Sequence, residues 1–411
     1  MAAGALDTYQ RRLFGLVSIA TFFEGFDTLV TTTVLHQLGA ELGVANEALF
    51  SMLSVINVGA LLGFVPLALA DRVGRRPTFL FALAGYTLAC LATAATRTLG
   101  EFTACQVVAR MFMVTELALA YVLLSEEMPA ARRGRLNASM GAFASVGAIV
   151  PAALLSTSVE LGFGWRGLYA LGAAPIALLP LYVAWLREPP AFHRLEPRTP
   201  ARALREAAAL VAPARWRRAA AAALVWLSIN FWNACAIFPF ALYAQQERGF
   251  TPGDVSLWLT TGGVLQFAGY AMAGVAMDRF GRRRALACVL VLAAGASALA
   301  YLAHARALVV AGYLAMASLG GMWSIAQTIT AELFPTELRA TANGLASNVV
   351  GRLGMIAAPG LVGALGLRLG ATGPAVALLG LAHLAVLPLL LRWLPETRGA
   401  ALDAPVTAGR H

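Results

Sequence analysis

Lysine is absent from this chain of 411 residues, and all 31 basic side chains are arginines. A phosphate-binding glycine-rich loop of the Walker type needs a lysine, so ATP-driven transport by this chain alone is excluded. Charge of either sign is scarce, at 13% of residues, about half the ~25% usual in soluble domains. The four cysteines, Cys90, Cys105, Cys235 and Cys288, all fall inside apolar runs. They have neither metal-ligand spacing nor an expected exposed position, which argues against disulfides and zinc. No metal site, cofactor motif or covalent-catalysis constellation is present, and an enzyme is not expected.

What the chain has is apolar length. Residues are 59% hydrophobic and mean hydropathy is +0.71, and a bilayer core takes ~20 residues of helix. Twelve spans are read, at about 13–35, 50–70, 78–96, 102–124, 137–159, 167–186, 219–243, 254–277, 285–303, 307–329, 342–366 and 372–394. The first is too long for a signal-peptide core and lacks a cleavage pattern. Residues 187–218 hold eight arginines and a proline-rich start. They read as a linker between an N-terminal bundle (1–186) and a C-terminal bundle with a short tail (219–411).

Arginine placement sets the expected orientation. Arg97, Arg166, Arg248, Arg306 and Arg368 are the arginines of one set of loops, against 23 on the other side. Both termini are therefore expected in the cytoplasm, in a bacterial inner-membrane topology. The net charge of +10 reads as topology signalling and lipid-headgroup contact, not nucleic-acid binding.

The halves repeat. Asp71-Arg72-Val73-Gly74-Arg75-Arg76 returns as Asp278-Arg279-Phe280-Gly281-Arg282-Arg283, 207 positions later. Glu126, Pro129 and Arg133 return at the same spacing as Glu332, Pro335 and Arg339, 206 positions later. Two unrelated motifs at nearly one offset indicate a duplicated six-helix unit. The expected fold is an all-α membrane protein of twelve transmembrane helices in two pseudo-symmetric bundles.

These motifs resemble the major facilitator superfamily along essentially the whole chain. The glycine that usually precedes the Asp by four residues is Gly274 in the second copy but Leu67 in the first. The Glu126 and Glu332 motifs, with Leu186-Arg187-Glu188-Pro189-Pro190 and Leu394-Pro395-Glu396-Thr397-Arg398-Gly399, are similar to the branch of sugar porters and metabolite:proton symporters. Glu24-Gly25-Phe26-Asp27 is similar to the Asp-Gly-x-Asp motif of aromatic acid:proton symporters, with Glu in the first place. The resemblance implies alternating access, with helices 1, 4, 7 and 10 lining the cavity.

Ionisable groups at membrane depth mark function, because each costs ~2.5–3.5 kcal/mol on insertion scales. Asp27, Glu24 and Glu116 are the candidate proton-coupling carboxylates, Asp27 ranking first and Glu116 second-rank. Arg110 and Arg352 are candidate anion anchors, since guanidinium binds carboxylate bidentately. Arg110 and Glu116 are six residues apart and so point ~120° apart on one helix. Asn230, Asn233, Gln266, Trp323 and Gln327, with Trp226, are candidate pocket-shaping groups, although packing is the commoner role for any single aromatic in a membrane helix. Asp71, Arg72, Gly74, Arg75, Arg76, Glu126 and Arg133, with Asp278, Arg279, Gly281, Arg282, Glu332 and Arg339, are expected to form a conformational switch at the cytoplasmic helix ends.

The expected function is proton-coupled import of a small organic anion, such as an aromatic carboxylate, by a monomer in the membrane lipid. Proton-driven efflux of amphiphilic cations and a transport-dead sensor are the alternatives.

Overall fold

The computed structural model describes residues 6–190, 205, 208–210, 212–213 and 215–398. Most of the expected linker, and the side chains of Asp71 and Arg133, lie outside what is described. Every regular element among the described residues is helical. Eleven helical stretches are long and apolar enough to cross a membrane. They are α1 (Thr8–Thr33), α2 (Asn46–Leu67), α3 (Arg75–Ala94), α4 (Leu99–Glu127), α5 (Ser139–Glu160), α6 (Gly164–Trp185), α7 (Trp216–Gln246), α9 (Arg282–Leu302), α10 (Arg306–Leu333), α11 (Thr341–Leu369) and α12 (Thr372–Trp393). The expected eighth span is the 29-residue helix Pro252–Phe280, here α8. It carries Asp254, Thr260, Thr261, five glycines and Gln266, which lowers its apolar content without shortening it.

Local chemistry sets the helix ends and breaks. A capping box starts α1, with Gln10 N donating to Asp7 Oδ1 at 2.7 Å and Asp7 N to Gln10 Oε1 at 3.1 Å; Thr98 and Glu101 start α4 in the same way. The helix of α6 is interrupted just before Pro175, whose ring removes a backbone N–H from the ladder and is tolerated at the first position of the helix that follows. In α7 a π-helical turn, Asn233–Ile237, precedes Pro239, whose missing N–H breaks the regular ladder. Buried hydroxyls mostly bond back to carbonyls of their own helix, as Thr21, Thr87 and Thr93 do, so they add no unsatisfied group at membrane depth.

The chain forms two compact units. Unit 1 comprises residues 1–44, 55–197 and 251–260; unit 2 comprises 45–54, 198–250 and 261–411. In unit 1, α1 and α5 meet backbone to backbone. A Cβ on Gly25 would stand 1.8 Å from the Ala144 carbonyl oxygen, and one on Gly147 1.8 Å from that of Phe22. In unit 2, α7 packs on α11 at Gly354, where a Cβ would come 2.7 Å from the Leu227 carbonyl oxygen. Buried donors fasten the rest: Tyr182 Oη to Leu16 O at 2.7 Å, Trp232 Nε1 to Ser297 Oγ at 2.8 Å and Tyr301 Oη to Ala236 O at 2.6 Å.

The outward faces are apolar. Val65 and Val275 are 65% exposed and Leu367 is 68% exposed, a surface suited to lipid rather than water. Cys288 is exposed on this kind of surface, which corrects the expectation of four unexposed cysteines. An apolar run does not imply burial in protein when the solvent is lipid. His383, by contrast, is buried, with its ring nitrogens against Gly380 O and Leu290 O, a packing role.

Candidate functional site

The membrane interior of unit 1 gathers the ionisable groups around α1. Asp27 is 1% exposed and accepts a hydrogen bond from Cys90 Sγ of α3 at 3.2 Å. Arg110 of α4 is half-buried and close enough to act on Asp27 and Cys90 through space. Glu24, one turn earlier, is half-buried and accepts from Thr28 Oγ1 at 3.2 Å. It stands within electrostatic reach of Glu116 and Tyr121 on α4. Glu116 is fully buried, and neither carboxylate oxygen has a hydrogen-bond partner. The sites of Arg110 and Glu116 therefore differ, as the angle between them on α4 requires: Arg110 acts on Asp27, and Glu116 faces Glu24.

A second polar string lies on the Asp27 side. Thr31 Oγ1 is 2.7 Å from Tyr169 Oη and donates to Gln106 Oε1 at 3.3 Å, while Gln106 Nε2 donates to Thr93 Oγ1 at 3.0 Å. Asp27 and Arg110 both act electrostatically on Tyr169. His36, just beyond α1, has an unpartnered buried Nδ1, and burial holds its imidazole below its ordinary pKa.

Unit 2 has a different interior. Trp226 of α7 donates from Nε1 to Thr330 Oγ1 at 3.0 Å and meets Trp323 of α10 edge to face, with ring centroids 5.7 Å apart. Asn230 is 2% exposed, and its Oδ1 is an unpartnered acceptor. Asn233 opens the π-helical turn and is half-buried, so the Trp226–Asn230 stripe leaves regular register at that residue. Gln266 lies half-buried against the backbone of Gly320. Gln327 is exposed while Trp323 is half-buried, so the two do not share one environment. Arg352 is half-buried, with Nη1 3.5 Å from Met355 Sδ.

The repeated motifs build the same knot in each unit. Gly74 at φ 118° and Gly281 at φ 88° hold backbone conformations that favour glycine. Each opens the next helix, α3 or α9, and a glutamate from the end of the same unit caps its first turn. Glu188 receives Arg75 N at 2.6 Å and Arg76 N at 2.9 Å; Glu396 receives Arg282 N at 2.8 Å and Arg283 N at 3.2 Å. A carboxylate at a helix N-terminus satisfies orphan donors and meets the positive end of the dipole.

The side chains then tie in a third helix. Arg75 Nη2 lies 3.6 Å from Glu126 Oε1, while Arg282 forks onto Glu332 through Nε and Nη2 at 2.8–3.2 Å. Thr397 also bonds Glu332. Arg76 anchors on the carbonyls of Leu186 and Val183, and Arg339 on that of Ala331. Asp278, Arg72 and Arg279 are exposed, and Asp278 reaches Arg282 only at 3.4 Å. The firmer partners of Arg282 are thus Glu332 and, through its backbone, Glu396.

The roles of four residues here escaped the sequence reading. Glu188 and Glu396 recur 208 positions apart, the period of the other motifs, so their capping role carried a legible signal. Cys90 and Tyr86 carried none, because only packing brings α3 against the carboxylates.

The family model of the Major Facilitator Superfamily matches residues 17–242 and 227–406. The chain belongs to this superfamily, and it is a multi-pass membrane transporter. It is 27% identical over 366 residues to NiaP of Bacillus subtilis (strain 168), named for niacin/nicotinamide transport, covering 87% of this chain and 89% of that one. It is likewise 27% identical over 389 residues to the niacin transporter NiaP of Acinetobacter baylyi, covering 85% and 86%. The solved structure of a D-xylose-proton symporter superposes with a TM-score of 0.75 at 16% identity, over 95% of this chain and 99% of that one; this likeness concerns the fold.

Proposed function

We propose that this transporter imports a small aromatic carboxylate of the nicotinate kind together with a proton, by alternating access. The observation that carries the reading is Asp27: a carboxylate sealed in the membrane interior, held by Cys90 and within electrostatic reach of Arg110. A guanidinium beside a buried carboxylate is shared between that carboxylate and an arriving anion. When substrate engages Arg110, Asp27 loses its counter-charge and takes a proton, so substrate and proton load together. Within unit 2, the Trp226–Trp323 pair is an aromatic surface of its own, with the unpartnered Oδ1 of Asn230 one turn on from Trp226. The niacin-transporting relatives supply the substrate class. Arginine bias supports cytoplasmic termini, and residues 187–218 serve as the linker between six-helix halves.

The test is uptake of labelled nicotinate into proteoliposomes. An inward proton gradient should drive accumulation, and collapsing it should remove accumulation. Asp27→Asn should abolish concentrative uptake while counterflow exchange persists. Equal loss of both activities would assign Asp27 a structural role, and gradient-independent accumulation would overturn proton coupling.

A further inference from the structure

Helix α3 presents two donors one turn apart, Tyr86 and Cys90; both lie near Asp27, and Tyr86 also lies near Glu116. Cys90 serves Asp27. Tyr86 lies within electrostatic reach of Glu116, yet its hydroxyl is buried with no hydrogen-bond partner. Both oxygens of Glu116 are also buried and unpartnered. A donor and an acceptor, each lacking a partner and acting on one another, thus occupy one sealed region of unit 1. Such orphaned groups call for an explanation, because neighbouring hydroxyls, including that of Tyr182, are bonded to carbonyls.

The charges around Glu116 point one way. The titratable groups facing it are Glu24 from α1, Tyr86 from α3 and Tyr182 from α6. None is a cation, and Arg110 points to Asp27. An anionic Glu116 would be a buried charge beside a second carboxylate with nothing to offset it. The neutral acid avoids that cost.

We propose that Glu116 and Tyr86 form a proton-storage site separate from the Asp27–Arg110 pair. Glu116 holds its proton as a neutral carboxylic acid in this conformation. When the O–H bond at Glu116 breaks, the electron pair stays on the carboxylate and the proton leaves to water. The Tyr86 hydroxyl then donates its unused hydrogen bond to the new anion. This extends the proton-coupling reading, but its test needs no substrate.

The experiment is infrared spectroscopy of the purified, reconstituted full chain across a pH titration without ligand. Wild type should show the C=O stretch of a protonated carboxylic acid at neutral pH. The band should persist in Asp27→Asn, vanish in Glu116→Gln, and change frequency in Glu116→Asp. In Tyr86→Phe it should survive to more alkaline pH, by about one unit, because the anion has lost its donor. Absence of the band in wild type, its survival in Glu116→Gln, or an unmoved titration in Tyr86→Phe would overturn the site. If Glu116→Gln does not fold, the Glu116→Asp frequency and the Tyr86→Phe titration still decide. Failed nicotinate uptake would leave the band unchanged, so the two readings fail separately.

Discussion

Equivalent places in the two halves hold opposite chemistry. Advancing by the repeat period, Asp27 becomes Ala234, Cys90 becomes Ser297, Arg110 becomes Met316 and Glu116 becomes Met322. Where unit 1 sets a thiol against a carboxylate beside a guanidinium, unit 2 has Ser297 taking Trp232 Nε1 and donating to Met316 Sδ at 3.4 Å. In the other direction, Trp226 and Asn230 of unit 2 correspond to Ile19 and Phe23. Duplication supplied one scaffold twice, and substitution then separated the labour. The proposed reading places titration in unit 1 and ring recognition in unit 2. The two halves also differ in tightness: the α1–α5 contact is closer than that of α7–α11, while the Arg282–Glu332 pair is firmer than Arg75–Glu126.

The sharpest way to break this comparison is at the paired glycines. Gly25→Leu should prevent recovery of monodisperse protein, because the side chain must displace the α5 backbone itself. Gly354→Ala, against a looser contact, should cost about 1–3 kcal/mol of stability and remain purifiable. Equal tolerance of both would remove the asymmetry. Gel filtration and thermal unfolding of the two variants measure it.

Next in size is the division of labour. Trp226→Ala or Asn230→Leu should raise KM for nicotinate uptake about tenfold, the effect of ~1.4 kcal/mol, with the pH profile unchanged. Asp27→Asn and Glu116→Gln should alter the pH profile while substrate binding survives. A pH profile that moves with Trp226→Ala would deny the separation.

Smaller effects follow at the motif knots. Glu332→Gln breaks a forked, mostly buried pair and should cost about 1–3 kcal/mol. Glu126→Gln, where the Arg75 contact is longer at 3.6 Å, should cost less than Glu332→Gln. Thermal unfolding of both variants ranks them, and the reverse order would overturn the difference in firmness between the two knots.

The smallest effect belongs to His36. Its depressed pKa means that the unfolded chain takes up a proton first as pH falls. Its contribution is present above the ordinary histidine value of ~6.5 and fades on acidification toward the lower folded value. Unfolding temperatures of wild type and His36→Gln should therefore converge as pH falls through that window.

The fold was legible because its signals are local and repeated. A bilayer demands long apolar runs, and duplication printed Gly74 and Arg75, then Gly281 and Arg282, at one offset. The carboxylates of α1 were legible for a related reason, since the expense of Glu24 and Asp27 in lipid shows without coordinates. The cysteine pattern misled, because an apolar segment can face protein, as at Cys90, or lipid, as at Cys288.

The chain's order of residues determined that this is a duplicated membrane transporter with most of its membrane-depth ionisable groups in the first half. Hydropathy, arginine bias and helical spacing act over neighbouring residues, so they need no fold to be read. Only the tertiary structure decided which groups meet: Cys90 on Asp27, Tyr86 toward Glu116, Glu188 and Glu396 on helix starts more than a hundred residues away. Those partnerships depend on how α1, α3 and α4 rotate about their axes, which is set by contacts such as Gly25 on the α5 backbone. Rotation leaves no period in the sequence, and it separates one carboxylate with a cation from another with none.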